Sequence, residues 1–508
     1  MKACITLLFV LMIATPSSGQ NSDLLRNAMD IGNPKIKGSS GYDMSTQVYT
    51  LQGSGYNIWF ERDEFHFRYD TLKADFILTA HVSLSGEGVD PHRKIGWMIR
   101  ASLEENAAHV SATLHGDGLT VLQWRELKGA FMRDPEDEVF APKSDYNILQ
   151  LERKGDLFIM RAAHDGEPLQ LIGKHHMPHM PADVLAGLFV CSHNPEVLEE
   201  GRAWNVRIDR PVPEDHNAYS QGRFGSRLEI LDINTGMRKV IYESKKGFEA
   251  PNWTHDGEHL IINQEGSLYS ISINGGALKK IDTGFADRLN NDHGISPDGK
   301  TLAISHHRAD MPGGGSTIYV LPLEGGQPRQ VTEHSPSYWH GWSPDGKYVV
   351  YVGERGDGAY HIFRANVESG AEEQITDYTG SHVDGPEYDP HGEYIYYNGT
   401  QSGTMQIWRM RPNGGDPEQL TFDQYNDWFP HISPDGETMV FISFPENIEV
   451  NDHPFYKRVM LRTMPVKGGA PRVIAHLYGG QGTINVPSWS PDSQRLAFVS
   501  NPGLPASQ

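Results

Sequence analysis

A four-residue motif recurs six times in the second half of the chain, and this repeat restricts the fold more than any other feature. Most copies read Ser-Pro-Asp-Gly, a tight turn in which glycine takes positive φ and aspartate bonds nearby backbone. The spacing between copies suits four short strands per unit. Six such units predict a six-bladed β-propeller. The copies begin at Thr254, Ser296, Ser343, Asp389, Ser433 and Ser490.

The ends of the repeat region predict how the ring closes. The last copy ends at Ser500 with only two strands, whereas two unassigned alternating strands lie far upstream, at 227–232 and 238–242. We expect the N-terminal and C-terminal strands to pair in one blade, which removes free sheet edges. The repeats resemble the TolB-type, WD40-like (PD40) six-bladed propellers over residues 225–501.

The first half has no such repeat but alternates like β-strands, for example at 75–82 and 148–152. The pattern predicts an antiparallel β-sandwich, or jelly roll, over residues 20–213. It is similar to the concanavalin-like and laminin-G-like modules that accompany carbohydrate-active enzymes. Prolines around position 211 indicate a linker at 214–224, and residues 502–508 form a tail, so the whole chain is predicted to be all-β.

The N-terminus predicts export to the periplasm. Lys2, an apolar run and a small-residue segment read as a signal peptide over residues 1–19, and no second apolar stretch of membrane-spanning length follows. Cys191 is then the one remaining cysteine, and its apolar surroundings favour a buried structural role. The chain has 65 acidic against 44 basic residues and a net charge of -21, which argues against a nucleic-acid partner.

The turn register predicts where polar groups collect. If the repeated turns lie on the lower face of the propeller, the residues before each innermost strand meet around the axis on the upper face. We call that opening the upper mouth. Several amides and carboxylates fall there and are candidate substrate-binding residues: Asn252, Asn291, Asp292, Asp384, Glu387, Asn426 and Asn485.

Histidines from separate repeats suggest a divalent metal at the same mouth. Three of them, His293, His340 and His431, could converge on the channel and bind the ion through neutral imidazole. Oligogalacturonate lyases are propellers that resemble this one, and they hold a metal with histidines and a glutamine. By that resemblance Gln481, in the segment leading into the last repeat, is the candidate fourth ligand.

These features favour a carbon–oxygen lyase or dehydratase that acts on uronate-containing oligosaccharides. Elimination needs a base and a cation that neutralises the uronate carboxylate. The candidate bases are His307 and Tyr456, the latter in an insertion at 444–457, and the candidate cations are Arg355 and Arg462.

Two alternatives remain open. A glycoside hydrolase at the same mouth would use two acids among Asp292, Asp384 and Glu387. A non-catalytic scaffold like TolB would instead bind envelope proteins through this face.

Overall fold

A computed structural model describes residues 23–311, 315–378 and 380–503. The predicted signal peptide and most of the predicted tail lie outside these residues. The described part of the chain is almost entirely β, as the sequence predicts, with one helix of four residues, α1 (Ala218–Gln221).

The N-terminal unit consists of two seven-stranded antiparallel sheets packed face to face and one further sheet of two short strands. Its core contains large apolar side chains from both sheets, such as Trp97 and Phe158, each 0% exposed. The strands are β1 (Asn27–Ile31), β2 (Ser39–Asp43), β3 (Val48–Gly53), β4 (Ile58–Trp59), β5 (Arg62–Asp63), β6 (Phe65–Lys73), β7 (Phe76–Leu84), β8 (Lys94–Arg100), β9 (His109–His115), β10 (Thr120–Arg125), β11 (Glu138–Phe140), β12 (Ile148–Lys154), β13 (Leu157–Ala163), β14 (Gln170–His176), β15 (Asp183–Cys191) and β16 (Glu199–Asp209). One sheet has the order β1-β6-β15-β8-β9-β10-β11 and the other β14-β13-β12-β7-β16-β3-β2. Cys191 is buried, as expected.

The C-terminal unit is a propeller of six antiparallel sheets. Its strands are β17 (Phe224–Asp232), β18 (Arg238–Lys246), β19 (Phe248–Trp253), β20 (His259–Gln264), β21 (Ser267–Ser272), β22 (Lys279–Lys280), β23 (Leu289–Ile295), β24 (Thr301–His307), β25 (Ser316–Pro322), β26 (Arg329–Gln330), β27 (Ser337–Trp342), β28 (Tyr348–Glu354), β29 (Tyr360–Asn366), β30 (Glu372–Gln374), β31 (Val383–Tyr388), β32 (Ile395–Gly399), β33 (Gln406–Met410), β34 (Glu418–Gln419), β35 (Asn426–Ile432), β36 (Thr438–Phe444), β37 (Lys457–Pro465), β38 (Arg472–Gly479) and β39 (Arg495–Ser500).

Blades 1 to 5 are the four-stranded sheets that start at β19, β23, β27, β31 and β35. Blade 6 has the order β18-β17-β39, so the N-terminal strand β17 pairs with the last strand of the chain. The predicted ring closure is therefore confirmed. The innermost position of blade 6 is filled by an irregular segment, which β39 holds through the backbone bonds Ala497 N–H to Ser488 O (2.9 Å) and Val499 N–H to Thr483 O (3.1 Å).

The repeated turn owes its shape to one carboxylate. In the third copy, Asp345 accepts hydrogen bonds from the Ser343 hydroxyl (2.7 Å) and from the Lys347 N–H (3.1 Å). The fourth copy has histidine at the third position, and there Asp389 at the first position accepts the backbone bonds instead. The turn therefore survives this change of sequence because a carboxylate still satisfies the free N–H groups.

The variant Asp345→Ala should lower the free energy of unfolding by about 1 to 2 kcal/mol, because it removes the acceptor of two hydrogen bonds in one turn. Urea denaturation measures the change. The exposed Glu368 on the same blade provides the control Glu368→Ala, which should leave the stability unchanged. Equal stability of the two variants would contradict the structural role of the turn carboxylate.

The sandwich packs against blade 6 through buried ion pairs. Arg207 pairs with Glu229 on β17 (2.5 Å), and Arg227 on the same strand pairs with Asp209 (2.9 Å). The Gln47 side chain also makes two hydrogen bonds to the backbone of Val240 on β18. Because these contacts cross from the sandwich to the propeller and are buried, the two units are expected to support each other's stability.

Candidate active site at the upper mouth

A β-bulge interrupts each innermost strand of blades 1 to 5. On β31, Asp384 and Glu387 are three residues apart, but their partners on β32 are only two residues apart, so β31 has one extra residue. The strands β19 and β35 each have one extra residue in the same way. Ala250, Gly385 and Phe429 occupy these bulges with φ between 54° and 58°. Bulges bend a strand and re-aim the neighbouring side chains. Asp384, directly before its bulge, contacts residues of two other blades.

Asp384 is the centre of a buried group of ionisable side chains. Its Oδ1 lies 3.0 Å from Nε2 of His340 on β27, and its Oδ2 lies 3.9 Å from Nε2 of His453 in the loop between β36 and β37. Asp292 on β23 and Glu249 on β19 complete the group, since the charges of Asp384, His340 and Glu249 all act on Asp292. We call this group the mouth cluster. It draws side chains from blades 1 to 5.

Within the mouth cluster, Asp292 has the most perturbed protonation. Its pKa is raised to about 7, chiefly by burial and also by the nearby charges of Asp384 and Glu249, although His340 and a hydrogen bond from Asn290 oppose the rise. Asp292 is 5% exposed, so water does little to stabilise its ionised form. Near neutral pH this carboxyl group is therefore divided between its acid and base forms.

Asp384, in contrast to Asp292, is ionised at neutral pH. Burial disfavours its ionised form, but the hydrogen bond and charge of His340 outweigh that effect and lower the pKa of Asp384 to about 2. Burial likewise opposes the charge on His340, yet Asp384, Asp292 and Glu387 raise its pKa. Burial lowers the pKa of His453. At pH 7 the cluster thus holds an ionised Asp384 beside a neutral His453, and the raised pKa of His340 favours the cationic form of that imidazole.

Two segments outside the blade strands contact the mouth cluster. The predicted linker supplies Arg223, whose guanidinium pairs with Glu249. The insertion before β37 supplies Phe455. Its ring centroid lies 5.3 Å from the guanidinium carbon of Arg223 and 5.5 Å from the ring centroid of Tyr219 on α1. The predicted linker and the insertion therefore pack against each other beside Glu249. The insertion also supplies His453, as a wall of the site would.

The structure brings together three of the residues that the sequence placed at the mouth: Asp292, His340 and Asp384. A fourth, Glu387, accepts a hydrogen bond from Nδ1 of His431 (2.6 Å) and joins blade 4 to blade 5. The charge of Glu387 still acts on His340, so this pair borders the mouth cluster.

The other two histidines of the predicted metal set are bonded to backbone. Nδ1 of His293 donates to the Asn291 carbonyl (2.8 Å), and burial lowers the pKa of His293 to about 4. Nε2 of His431 bonds to the Ile484 carbonyl. Gln481 accepts a hydrogen bond from Asn485 (2.9 Å). Within residues 23–311, 315–378 and 380–503, no three His, Cys, Asp or Glu side chains are placed to hold a metal ion. The metal centre stays a prediction.

The predicted arginines have other partners. Arg462 pairs with Asp423 and Asp427 inside blade 5, where it is 3% exposed. Arg355 donates to the Pro336 carbonyl (2.6 Å) and the Ser337 hydroxyl (2.9 Å). Neither guanidinium belongs to the mouth cluster. Each instead stabilises its own blade through the contacts just described.

The two predicted bases lie away from the centre of the mouth cluster. The Tyr456 hydroxyl accepts a hydrogen bond from the Phe224 N–H (2.6 Å), and burial raises the pKa of Tyr456. His307 lies at the end of β24, with its ring 6.3 Å from that of Tyr338. The charges of Asp292 and Asp384 help to raise the pKa of Tyr338, so Tyr338 lies near the mouth cluster. His307, on the other side of Tyr338, therefore lies on the rim of the mouth.

The predicted amides mostly brace the backbone. Asn252 donates to the Pro487 carbonyl (2.8 Å) and ties blade 1 to blade 6. Asn426 donates to the Ile448 carbonyl in the insertion (3.1 Å), and Asn485 accepts from the Gly482 N–H (2.7 Å). The side-chain nitrogen of Asn291 is buried and has no hydrogen-bond partner within the described part of the chain.

Sequence reasoning missed Glu249, Arg223 and His453 as site residues. A signal for Glu249 was present, because it and Asp384 both stand two residues before the proline of their repeats. Arg223 and His453 lie in segments that follow no repeat, so no alignment of the copies could place them.

A six-bladed propeller with the Pro-Asp-Gly repeat defines the class of this protein, and comparisons identify its family. The TolB beta propeller domain (PD40) matches residues 217–382 and 341–461. An uncharacterized protein of Agrobacterium fabrum is 46% identical over 279 residues, which span 55% of this chain and 93% of that protein. The chain therefore belongs to the TolB-like β-propeller family.

Solved structures agree with this assignment. A structure from Agrobacterium tumefaciens, provisionally assigned as TolB, has 45% identity and a TM-score of 0.52, and the match covers 55% of this chain and 99% of that one. An oligogalacturonate lyase from Vibrio parahaemolyticus has 11% identity and a TM-score of 0.34, over 50% of this chain and 72% of that one. A likeness of that size carries no functional argument. No helix of the described residues has the length and apolar character needed to cross a membrane.

Proposed function

We propose that this chain is an exported carbohydrate-active enzyme that cleaves a glycosidic bond by acid–base chemistry at the mouth cluster. The observation that carries the proposal is the opposite protonation of two neighbouring carboxyl groups, with a pKa of about 7 for Asp292 and about 2 for Asp384. Pairs of carboxyl groups whose surroundings separate their pKa values in this way are typical of glycosidases.

Asp292 is the general acid in this scheme. Its protonated form donates a proton to the glycosidic oxygen as the bond to the anomeric carbon breaks. Asp384, kept ionised by His340, acts at the anomeric carbon either directly or by taking a proton from the attacking water. His340 positions Asp384 through their 3.0 Å contact and offsets its charge. Addition of one water completes the products.

Elimination on a uronate is the second candidate. It requires a cation for the substrate carboxylate, and the predicted Arg355 and Arg462 are bound elsewhere. Arg223 is the one arginine that contacts the mouth cluster among the described residues, and it already pairs with Glu249. Because carboxylates outnumber cations at this mouth, a neutral sugar fits it better than a uronate does. We therefore rank hydrolysis above elimination.

The test is incubation of the purified chain with a panel of neutral and uronate oligosaccharides, followed by product mass and by absorbance of new double bonds. We expect products that gain one water on a neutral substrate. The double variant Asp292→Asn/Asp384→Asn, purified in parallel, controls for contaminating hydrolases.

Two other results would overturn the proposal. New double bonds on a uronate substrate would replace hydrolysis with elimination. Turnover of no substrate in the panel, together with capture of an envelope protein by the upper face, would replace catalysis with a docking role.

A further inference from the structure

A cavity of about 220 Å³ lies between the sandwich and the propeller, and none of its lining residues belongs to the mouth cluster. Thr79 and Gln150 line it from the sandwich, and Met460 and Tyr478 line it from β37 and β38. For comparison, an apolar cavity of about 150 Å³ accommodates benzene. The space is sufficient for a small ring-containing molecule, and cavities between domains are common ligand sites.

Five arginines line this cavity, and their charges are incompletely balanced. They are Arg161, Arg207, Arg227, Arg238 and Arg458. Glu229 is shared by two of them, Arg207 (2.5 Å) and Arg238 (2.9 Å). Glu152 is likewise shared by Arg161 (2.7 Å) and Arg458.

The fifth arginine, Arg227, has two acidic neighbours that differ in distance and in exposure to water. Asp209 lies 2.9 Å away, while Glu243 is 3.5 Å away and its side chain is 39% exposed. Five guanidinium groups therefore share four carboxylates, one of which is distant and partly in water. The side chains of Arg161 and Arg458 are 21% and 40% exposed, whereas the other three arginines are buried. The excess of guanidinium groups over carboxylates around the cavity favours an anion that can enter it.

One donor of a residue that lines the cavity lacks a hydrogen-bond partner in the described part of the chain. Nε of Arg458 is buried without a hydrogen-bond partner among the described residues. Ile77, Leu169 and Met460 supply apolar surface beside the guanidinium groups. This combination suits a ligand with a carboxylate at one end and an apolar ring at the other, because arginine binds carboxylates with two parallel hydrogen bonds.

We propose that the cavity between the sandwich and the propeller binds a small aromatic or alicyclic carboxylate, which contacts arginines of both units. Arg161 and Arg207 belong to the sandwich, and Arg227, Arg238 and Arg458 belong to the propeller. A bound carboxylate would therefore strengthen the seam between the units as well as fill the cavity.

The experiment uses the full chain and benzoate as the probe, with benzamide as a neutral analogue of the same shape. Titration calorimetry should show saturable binding of benzoate at one site and at least about tenfold weaker binding of benzamide, the change expected when a charge-assisted hydrogen bond is lost. Benzoate should also raise the unfolding temperature, because it binds only the folded chain.

Three variants locate the site. Arg458→Gln should weaken benzoate binding about tenfold while Glu152 keeps its pair with Arg161. Met460→Trp should block binding by filling the cavity without changing its charge. Arg472→Gln is the matched control, since Arg472 pairs with Asp165 at the exposed edge of the same seam and does not line the cavity.

Retention of benzoate binding by Met460→Trp, equal binding of benzamide, or no saturable benzoate binding to the wild type would each overturn the proposal. Weaker binding in Arg458→Gln and Met460→Trp, with wild-type affinity in Arg472→Gln, would support it. None of these readouts depends on catalysis, so they are separate from the test of the upper mouth.

Discussion

Replacement of Asp292 by asparagine is expected to lower kcat about 10²- to 10⁴-fold on the glycan that the panel identifies, the usual loss when a general acid is removed. Asparagine keeps the size of the side chain but cannot donate the proton to the leaving oxygen. Steady-state kinetics on the purified variant measures the change. KM should change little, because the amide can still occupy the buried position of the carboxyl group.

The pH dependence of wild-type activity gives a second test of Asp292 as the general acid. Asp292 must be protonated to act, so wild-type activity should fall as the pH rises through about 7. The control is Asp298→Asn, because Asp298 belongs to a turn on the opposite face of the same blade and its carboxylate accepts from Ser296. Full activity in Asp292→Asn would contradict the assignment of the acid.

Arg462→Met is expected to lower the free energy of unfolding by about 3 to 5 kcal/mol, because it leaves a buried ion pair without its cation. Arg462 contacts Asp427 at 2.6 Å, and Asp427 is 0% exposed. Burial raises the pKa of Asp427 to about 6, while Arg462 acts in the opposite direction. Without the arginine this pKa should rise further, so the loss of stability should shrink as the pH falls and Asp427 becomes protonated.

Urea denaturation at several pH values measures the effect of Arg462→Met. Lys347→Met, which breaks an exposed ion pair with Asp345, provides a control with little expected change. The folded fraction of Arg462→Met should keep the wild-type kcat and KM. A raised KM for a uronate substrate with unchanged stability would restore Arg462 as the carboxylate partner that the sequence suggested.

The propeller could be predicted from the sequence because its determinants are local. Each turn needs a carboxylate near its start, and even the histidine copy keeps one at Asp389. Ring closure could also be predicted, since one unit lacked strands that two upstream segments could supply. The family resemblance followed from the same repeats.

The site was less predictable because it depends on bulges. His293 and His340 share a position relative to the repeat, yet β23 carries two extra residues against β24, whereas β27 carries one against β28. His293 consequently bonds to the Asn291 carbonyl on its own strand, while His340 contacts Asp384 on another blade. A spacing count from the turn cannot distinguish these outcomes.

The arginines illustrate a second reason. Arg462 and Arg223 are both basic residues near the insertion or the linker, and only tertiary contacts decide their roles. Arg462 forms an ion pair with Asp427 inside blade 5, whereas the linker places Arg223 within ion-pair distance of Glu249. Neither partner could be inferred from distance along the chain.

The most direct test of the mouth cluster is a carbon-13 NMR titration of aspartate carboxyl groups in the wild type and in Asp292→Asn. The account predicts one aspartate resonance that titrates at about pH 7 in the wild type and is missing from the variant. Asp384 should remain ionised throughout. If instead the Asp292 resonance titrated near the ordinary aspartate value of about 4, the opposite protonation of the two carboxyl groups, and with it the proposed chemistry, would be refuted.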